Sequence, residues 1–555
     1  MTHNLLALIA ILSPMFFIAT AIASWFQPGM RPTLVKNMAM ASTLFSISIA
    51  SVCGYLVFQH DLLQTSLLGF YEIGLSLRLD ALSILMLLMI ALLGFIVVRF
   101  SFNYLDGDPR QGTFIGRLAA TIASVQFLVL SGNLGLLFIA WVLTSMSLHR
   151  LLIFYRERPG AIIAARKKFI LARLGDVCLL AAFVLIYIQF GTGNLESIFQ
   201  ALKVELGSSS PIAGIEAIAI LLVSAALLKS AQFPTHGWLI EVMETPTPVS
   251  ALLHAGLLNA GPFLIIRMAY VMEASTYAPI VMIVVGGFTA LFGSVVFLTQ
   301  TSIKTALSYS SIAHMGFSLM VCGFGVYPAA MLHLVAHSFY KAHAFLSSGS
   351  VIDVIRSSKV KAAKRIGSPI RIALGIIVGI IIYSGFALGW GVDPDKELAL
   401  LAIGGIIVMG ISRLMTSALD SNGSFSLMLR AILSSLIVTT AFFALESGTA
   451  HLLSSQLPAL VPLTFIEIVL MALILIAFGV TVFVQIAGPS LPYTAFYKAL
   501  AIHLRNGLYV NTVFDRSVRA LYSRDSSKKL MIPESIDYLK QQDPAKIEQY
   551  KPQPA

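Results

Sequence analysis

Apolar runs of about 20 residues, the length that crosses a bilayer as a helix, recur from one end of this chain to the other. After Asn4–Trp25 they fall near 34–58, 80–100, 113–131, 134–155, 169–190, 212–231, 247–271, 278–300, 304–325, 328–350, 369–390, 399–418, 427–446 and 461–487. Only 11% of the residues are charged and 57% are hydrophobic, against about 25% charged in a soluble domain. In lipid the backbone must satisfy its own polar groups, which helices do. The expected fold class is an all-α polytopic membrane protein with about 14–15 transmembrane helices and no soluble domain of any size.

The net charge of +11 is no nucleic-acid footprint, because the basic residues gather in short loops, where they set topology. Asn4–Trp25 lacks a basic n-region, so it reads as a first membrane helix and not a cleaved signal. One loop carries Arg156, Arg158, Arg166, Lys167 and Lys168 against Glu157. A second carries Arg356, Lys359, Lys361, Lys364, Arg365 and Arg371 against Asp353, and the tail carries Lys498, Arg505, Arg516, Arg519, Arg524, Lys528 and Lys529. All three follow odd-numbered spans. The positive-inside rule puts them in the cytoplasm, with the N-terminus outside. Tyr493 to Arg524 reads as an interfacial amphipathic helix on that face. Pro533 to Ala555 reads as mobile or ordered by a partner. Cys53, Cys178 and Cys322 are scattered without metal or disulfide spacing and read as small buried hydrophobes.

Against this background Lys229 stands out. It closes an apolar run, and Pro234 prevents that helix from continuing regularly. Glu241, Glu244, Pro246 and Pro248 follow, and then a second apolar run carrying His254. A lysine at membrane depth is expensive and marks function, although a lysine at a helix end can also snorkel to the interface. Broken backbone is tolerated there only when buried in protein or lining a water-filled cavity. Arg173 and Asp176, three apart on a helix, are either a self-neutralising pair or, through Asp176, an influence on Lys229. His333, His337 and Lys341 share one helical face, with His343 beside them. Leu334 stands where an HExxH zinc motif needs Glu, so these residues read as water-linked titratable groups, or in part as helix packing. His254 and Lys304 extend the series, and His314 reads as a satisfied core histidine. A second-half counterpart of the break would fall at Gly391–Glu397, which reads more readily as a polar loop. Arg413 is the strong charge of the following span.

The segments Lys229–Pro234, Met243–Ala255 and His333–Ala342, with Arg173–Asp176 and Ile303–Lys304, resemble the antiporter-like subunits of respiratory complex I and of Mrp sodium/proton antiporters. The resemblance covers roughly residues 60–355 clearly. It implies two inverted five-helix repeats with discontinuous helices. It also implies a proton path through the counterparts of Lys229, His254, Lys304, His333, His337 and Lys341. On that basis the chain divides into N-terminal helices (1–110), a first repeat (111–272), a second repeat (273–420), C-terminal helices (421–490) and a cytoplasmic segment (491–555).

Three departures stand out. Val142 follows Trp141 where the family places a glutamate, the usual partner of the lysine; Lys229 is then expected to rely on Asp176, Glu241 or Glu244, or on a partner, with Asp176 and Glu244 counted in the proton path. Ser302 stands where an acidic residue precedes the counterpart of Lys304. The chain is also too short for a long lateral helix. His254–Gly261, with Asn259, looks like the membrane subunit of the DAB inorganic-carbon accumulation complex. That resemblance implies a large cytoplasmic zinc partner of the DabA type, similar to a β-carbonic anhydrase. Protons, or sodium, would drive hydration of CO2 to bicarbonate across the cell (inner) membrane. The chain would be no enzyme by itself and would hold no cofactor, the zinc being the partner's. The alternatives are a proton-pumping subunit of a quinone oxidoreductase or hydrogenase, an Mrp-type cation/proton antiporter subunit, or a structural scaffold.

Overall fold

The computed structural model describes residues 2–208, 212–349, 369–393, 397–406, 425–487 and 494–526. The basic loop from Arg356 to Arg365, the Pro394–Lys396 part of the second-half candidate break, Arg413 and the tail from Pro533 lie outside them. Among the described residues ten helices are long and apolar enough to cross a membrane. The bundle begins with α1 (Asn4–Phe26) and α2 (Thr33–His60). Four short strands follow: β1 (Leu63–Gln64), β2 (Leu68–Phe70), β3 (Ile73–Leu75) and β4 (Arg78–Leu79). β1 pairs antiparallel with β4, Leu63 opposite Leu79, and β2 pairs with β3, Leu68 opposite Leu75. These two small ribbons are the only β-strands among the described residues.

Helices α3 (Ala81–Tyr104), α4 (Gln111–Val129), α5 (Leu134–Leu152), α6 (Pro159–Phe190), α7 (Leu195–Gly207) and α8 (Ile215–Lys229) come next. Short α9 (Gly237–Glu241) leads to α10 (Thr247–Ala255), α11 (Ala260–Arg267) and α12 (Ala269–Glu273). Then run α13 (Tyr277–Phe297), α14 (Ile303–Gly323), α15 (Tyr327–Leu346), α16 (Pro369–Trp390), α17 (Phe425–Leu453) and α18 (Phe465–Ala487). Nearly every apolar run read from the sequence is thus a helix. The expected 399–418 run is described only to residue 406. The expected amphipathic segment is α19 (Ala495–Arg505) and α20 (Val510–Ser526). Residues from Tyr509 onward form a separate unit from the helices before them.

Helix starts follow local chemistry, since the first N–H groups of a helix need outside acceptors. Asp80 accepts from Ser83 N at 2.8 Å to cap α3, and Asn133 accepts from Gly135 N at 2.8 Å to cap α5. Asn194 accepts from Glu196 N at 2.9 Å to cap α7. Ser302, the residue at the family's acidic position, is the N-cap of α14.

The start of α6 corrects the sequence reading. The helix begins at Pro159, a residue suited to a first turn, and not near 169. Arg166, Lys167 and Lys168 are therefore helical and not loop charges. Lys167 and Lys168 are also buried. Lys167 Nζ donates to Glu241 Oε1 at 2.5 Å, and Lys168 Nζ donates to the Ser145 carbonyl at 2.9 Å. Both ammonium groups point to partners inside the protein.

A second charged cluster ties remote parts of the chain together. Arg267, at the end of α11, contacts Asp80 with both terminal guanidinium nitrogens and donates through Nη2 to Ser83 Oγ at 2.7 Å. Arg78 donates through Nε to Asp80 Oδ2 at 2.6 Å and through Nη1 to Glu196 Oε2 at 2.6 Å. Asp80, Arg78 and Arg267 are all buried. Two cations on one carboxylate, with a second carboxylate closing the chain, make a compensated buried network.

Close helix approach depends on missing side chains. A Cβ on Gly286 of α13 would lie 2.7 Å from the Gly316 carbonyl of α14. A Cβ on Gly261 would lie 2.0 Å from Ser230 Oγ and 2.6 Å from the Ala226 carbonyl. Small residues permit such packing in lipid, where apolar burial gives helices no drive to associate.

Two stability predictions follow from these contacts. Asp80→Asn removes the carboxylate between Arg78 and Arg267 and should cost about 3–5 kcal/mol. It would appear as a lowered melting midpoint in detergent, and a wild-type midpoint would refute the network's role. Gly261→Leu should part α8 from α11 and cost about 1–3 kcal/mol. An unchanged midpoint for that variant would show that the two helices separate without penalty.

Candidate proton path

Lys229 is the last residue of α8, and Ala231 leaves the helix at a φ of 53°. The Phe233–Pro234 peptide is cis, and Pro234 itself is exposed. The freed backbone finds partners within the protein, as membrane depth demands. Phe233 N donates to Thr289 Oγ1 at 3.2 Å, and Gln232 Nε2 donates to the Ser230 carbonyl at 3.0 Å.

The Lys229 ammonium reaches across to α5. It donates to the Trp141 carbonyl at 3.0 Å, Thr144 Oγ1 at 3.1 Å and Ser145 Oγ at 2.7 Å. It also sits 4.1 Å from the centre of a Trp141 ring, a cation–π contact. All of these partners are uncharged. The side chain of Val142, where the family has its glutamate, offers no acceptor. Asp176 is buried, with Arg173 Nη2 at 2.7 Å from its Oδ2. It is near enough to act electrostatically on both Lys229 and Lys168.

Glu241 and Glu244 lie elsewhere. Glu241 holds Lys167. Glu244 is exposed at the start of α6, where its Oε2 accepts from Ala161 N at 3.2 Å. Its carbonyl accepts from Arg158 Nη1 at 2.5 Å.

The span expected at 247–271 is itself interrupted. Pro246 caps α10 and Pro248 lies in its first turn, both buried. They set Thr247, whose Oγ1 accepts from Lys304 Nζ at 3.2 Å. Helix α10 ends before Gly256, and a 3-10 turn over Leu257–Asn259 leads to α11. Ser230 Oγ donates to the Leu258 carbonyl at 3.1 Å, which joins this break to the one after Lys229. Asn259 Nδ2 donates to the Ala255 carbonyl at 3.0 Å and to Ser338 Oγ of α15 at 2.7 Å.

His254 is buried and stacks on Phe345 at 4.2 Å between ring centres. Lys341 is buried and donates to the Leu307 carbonyl of α14 at 3.2 Å. It acts electrostatically on His254, His314, His333 and His337. His314 Nδ1 and His333 Nε2 lie 3.1 Å apart, and the His337 ring is 4.8 Å from that of His314. His314, read as a satisfied core histidine, has His333 as its ring partner and lies within the histidine cluster. His343 is exposed on the opposite side of α15. A cavity of about 600 Å³ borders His314 and His333, with Ser310, Phe317, Thr481 and Gln485 on its wall.

The structure therefore forms two groups. Lys229, Asp176 and Arg173 gather at α5, α6 and α8. His254, Lys304, Lys341, His333, His337 and His314 gather at α10, α14 and α15. The Ser230–Leu258 and Asn259–Ser338 bonds run between them. Sequence reasoning missed Lys168, because a basic cluster after an apolar run looks like a loop. His236 is buried among Phe233, Phe292 and Tyr309, and both its ring nitrogens lack a hydrogen-bond partner among the described residues.

Comparison with known proteins agrees with this architecture. Residues 131–375 match the family described as NADH:quinone oxidoreductase/Mrp antiporter, TM. Residues 66–115 match NADH-Ubiquinone oxidoreductase (complex I), chain 5 N-terminus. The chain is 38% identical over 452 residues to the "Probable inorganic carbon transporter subunit DabB2" of Halothiobacillus neapolitanus, spanning 81% of each protein. It is 33% identical over 349 residues to NADH-quinone oxidoreductase subunit L of Mycobacterium tuberculosis, covering 61% of this chain and 54% of that one. The fold is also similar to a chain of the Mrp complex from Dietzia sp., with a TM-score of 0.64 at 22% identity. That match covers 98% of this chain and 63% of the Dietzia chain. This multi-pass membrane chain belongs to the family of antiporter-like subunits that includes the DabB inorganic carbon transporter subunits.

Proposed function

We propose that this chain is the proton-conducting, energy-coupling membrane subunit of an inorganic-carbon transport complex. Protons, or sodium ions, would pass along Lys229, Asp176, His254, Lys304, Lys341, His337 and His333. A zinc partner similar to a β-carbonic anhydrase would use that flow to hydrate CO2 to bicarbonate. The N-terminus would face outward and the tail the cytoplasm of the cell that carries it, in line with Arg156 and Arg158 in the loop before α6 and with the basic tail.

The observation that carries this reading is the Lys229 cradle. Lys229 is half-buried, and its ammonium, held by two hydroxyls, one carbonyl and a ring face, is solvated but not neutralised. Its charge stays costly, so losing the proton relieves the site. A lysine in such a place is suited to take up and release protons. Buried polar atoms normally have partners. The unpartnered nitrogens of His236, His337 and His254 fit a path in which water links the titratable groups. One charge moving down 100 mV releases about 2.3 kcal/mol. That is enough to bias a coupled hydration roughly fiftyfold.

A second reading, a pump or Mrp-type antiporter subunit, draws on the similarity to subunit L and on the Mrp-like fold. Purifying the tagged chain with its partners separates the two. Stoichiometric zinc in a co-purifying soluble protein is expected. Iron–sulfur proteins or further antiporter subunits in its place would sink the first reading. Lys229→Ala should abolish growth rescue at ambient CO2 in a host lacking carbonic anhydrase, while complex yield stays at the wild-type level. Full rescue by Lys229→Ala would remove Lys229 from the coupling path.

A further inference from the structure

Lys168 is a buried lysine that the path above leaves unused. It lies on α6 with 5% of its surface exposed. Its Nζ donates to the carbonyl of Ser145 at 2.9 Å. Lys229 donates to the hydroxyl of the same serine at 2.7 Å. Two ammonium groups from two helices therefore converge on one residue of α5. Lys168 and Asp176 are eight apart, on the same face of α6.

The charged and titratable groups around Lys168 are few. Lys229 faces it from α8, Arg173 and Asp176 from α6, and His149 from α5. With both lysines protonated the site holds three cations against one carboxylate, and Arg173 already touches that carboxylate. Arginine does not give up its proton in proteins. An uncompensated charge in a buried site is strongly unfavourable. Only the lysines can relieve the excess.

We infer that Lys168 and Lys229 form one proton-exchanging pair bridged by Ser145, charged in turn, with Lys168 passing protons between Lys229 and the Pro159 end of α6. In the exchange an N–H bond breaks at one lysine and an N–H bond forms at the other. The charge of the pair is unchanged and no other reactant is consumed. Ser145 holds the two groups through different oxygens, its hydroxyl for Lys229 and its carbonyl for Lys168, and because a serine hydroxyl both donates and accepts it can hand on the proton that Lys229 gives up. Lys168 thus stands beside Lys229 where Val142 leaves the lysine without a carboxylate partner. The inference rests on the proton-conducting reading above.

The test uses the whole complex, purified with its partners and reconstituted into liposomes. Proton uptake is followed with a pH-sensitive dye under an imposed gradient in the presence of CO2. Lys168→Arg keeps the charge and a donor for the Ser145 carbonyl but cannot release a proton. A purely structural Lys168 tolerates arginine, whereas a proton carrier does not. Lys168→Arg should slow uptake roughly a hundredfold at unchanged complex yield, as Lys229→Arg should. Uptake within twofold of wild type in Lys168→Arg, with Lys229→Arg inactive, overturns this inference and leaves the conduction reading standing. Wild-type uptake in both variants overturns the two together. If Lys168→Arg does not assemble, Ser145→Ala carries the test, because it removes the hydroxyl that Lys229 uses and keeps the carbonyl that Lys168 uses. A comparable loss is expected there, and wild-type uptake overturns the pair.

Discussion

An ammonium group inside a helical bundle needs several oxygens pointed at it, and most of the central architecture follows from that need. Lys229 meets it at the end of α8, where a lysine also complements the negative end of a helix. Ending the helix there frees backbone groups that lipid cannot satisfy. Thr289 and the turn from Ser230 to Gln232 supply partners. The second break, at Gly256, is packed against the first through Ser230 and Leu258. Gly261 leaves room for that contact. One costly charge thus accounts for two interrupted helices, the seam between them and the absence of a side chain at one position.

The molecule treats its buried charges in two ways. Asp80 lies between Arg78 and Arg267, and Glu196 completes the chain. Each charge there has an opposite partner at hydrogen-bond distance, so a proton has no reason to move. Removing one member is what costs. Lys229 has no opposite charge among its direct partners. Its cradle holds the cation without fixing it. The same side-chain chemistry therefore locks strands, α3, α7 and α11 together in one place and stays adjustable in the other.

The sequence displayed the helices because apolar length is a local property. It displayed the Lys229 break because Pro234 and the following Pro246 and Pro248 punctuate a run that would otherwise continue. It showed the face shared by His333, His337 and Lys341 because helical spacing alone places them together. What it hid was pairing at long range. Asp80 and Arg267 are 187 positions apart, and nothing local announces their contact. Lys167 and Lys168 looked like topology signals, since a basic cluster beside an apolar run has the same composition on either side of a helix start. His314 looked inert because its partner His333 lies on another helix. The second break was hidden as well, because Gly256 within an apolar run carries no penalty that a reader of sequence can see.

Val142 gives this contrast its consequence. A glutamate beside Lys229 would create a third kind of site, an ion pair whose cation is stabilised by a fixed anion. Without it the nearest carboxylate is Asp176, already in contact with Arg173. The two cancel to first order and leave little net field to hold a second or third cation nearby. The electrostatic balance around Ser145 then falls on Lys168 and Lys229 themselves. Each raises the cost of the other's charge, since like charges in a low-dielectric interior repel strongly. A carboxylate partner would hold the lysine proton by attraction, whereas a lysine partner limits how many protons the site can hold. On the proposed path, Val142 in place of the glutamate would therefore change what regulates the proton at this point in the bundle and leave in place the means of holding it.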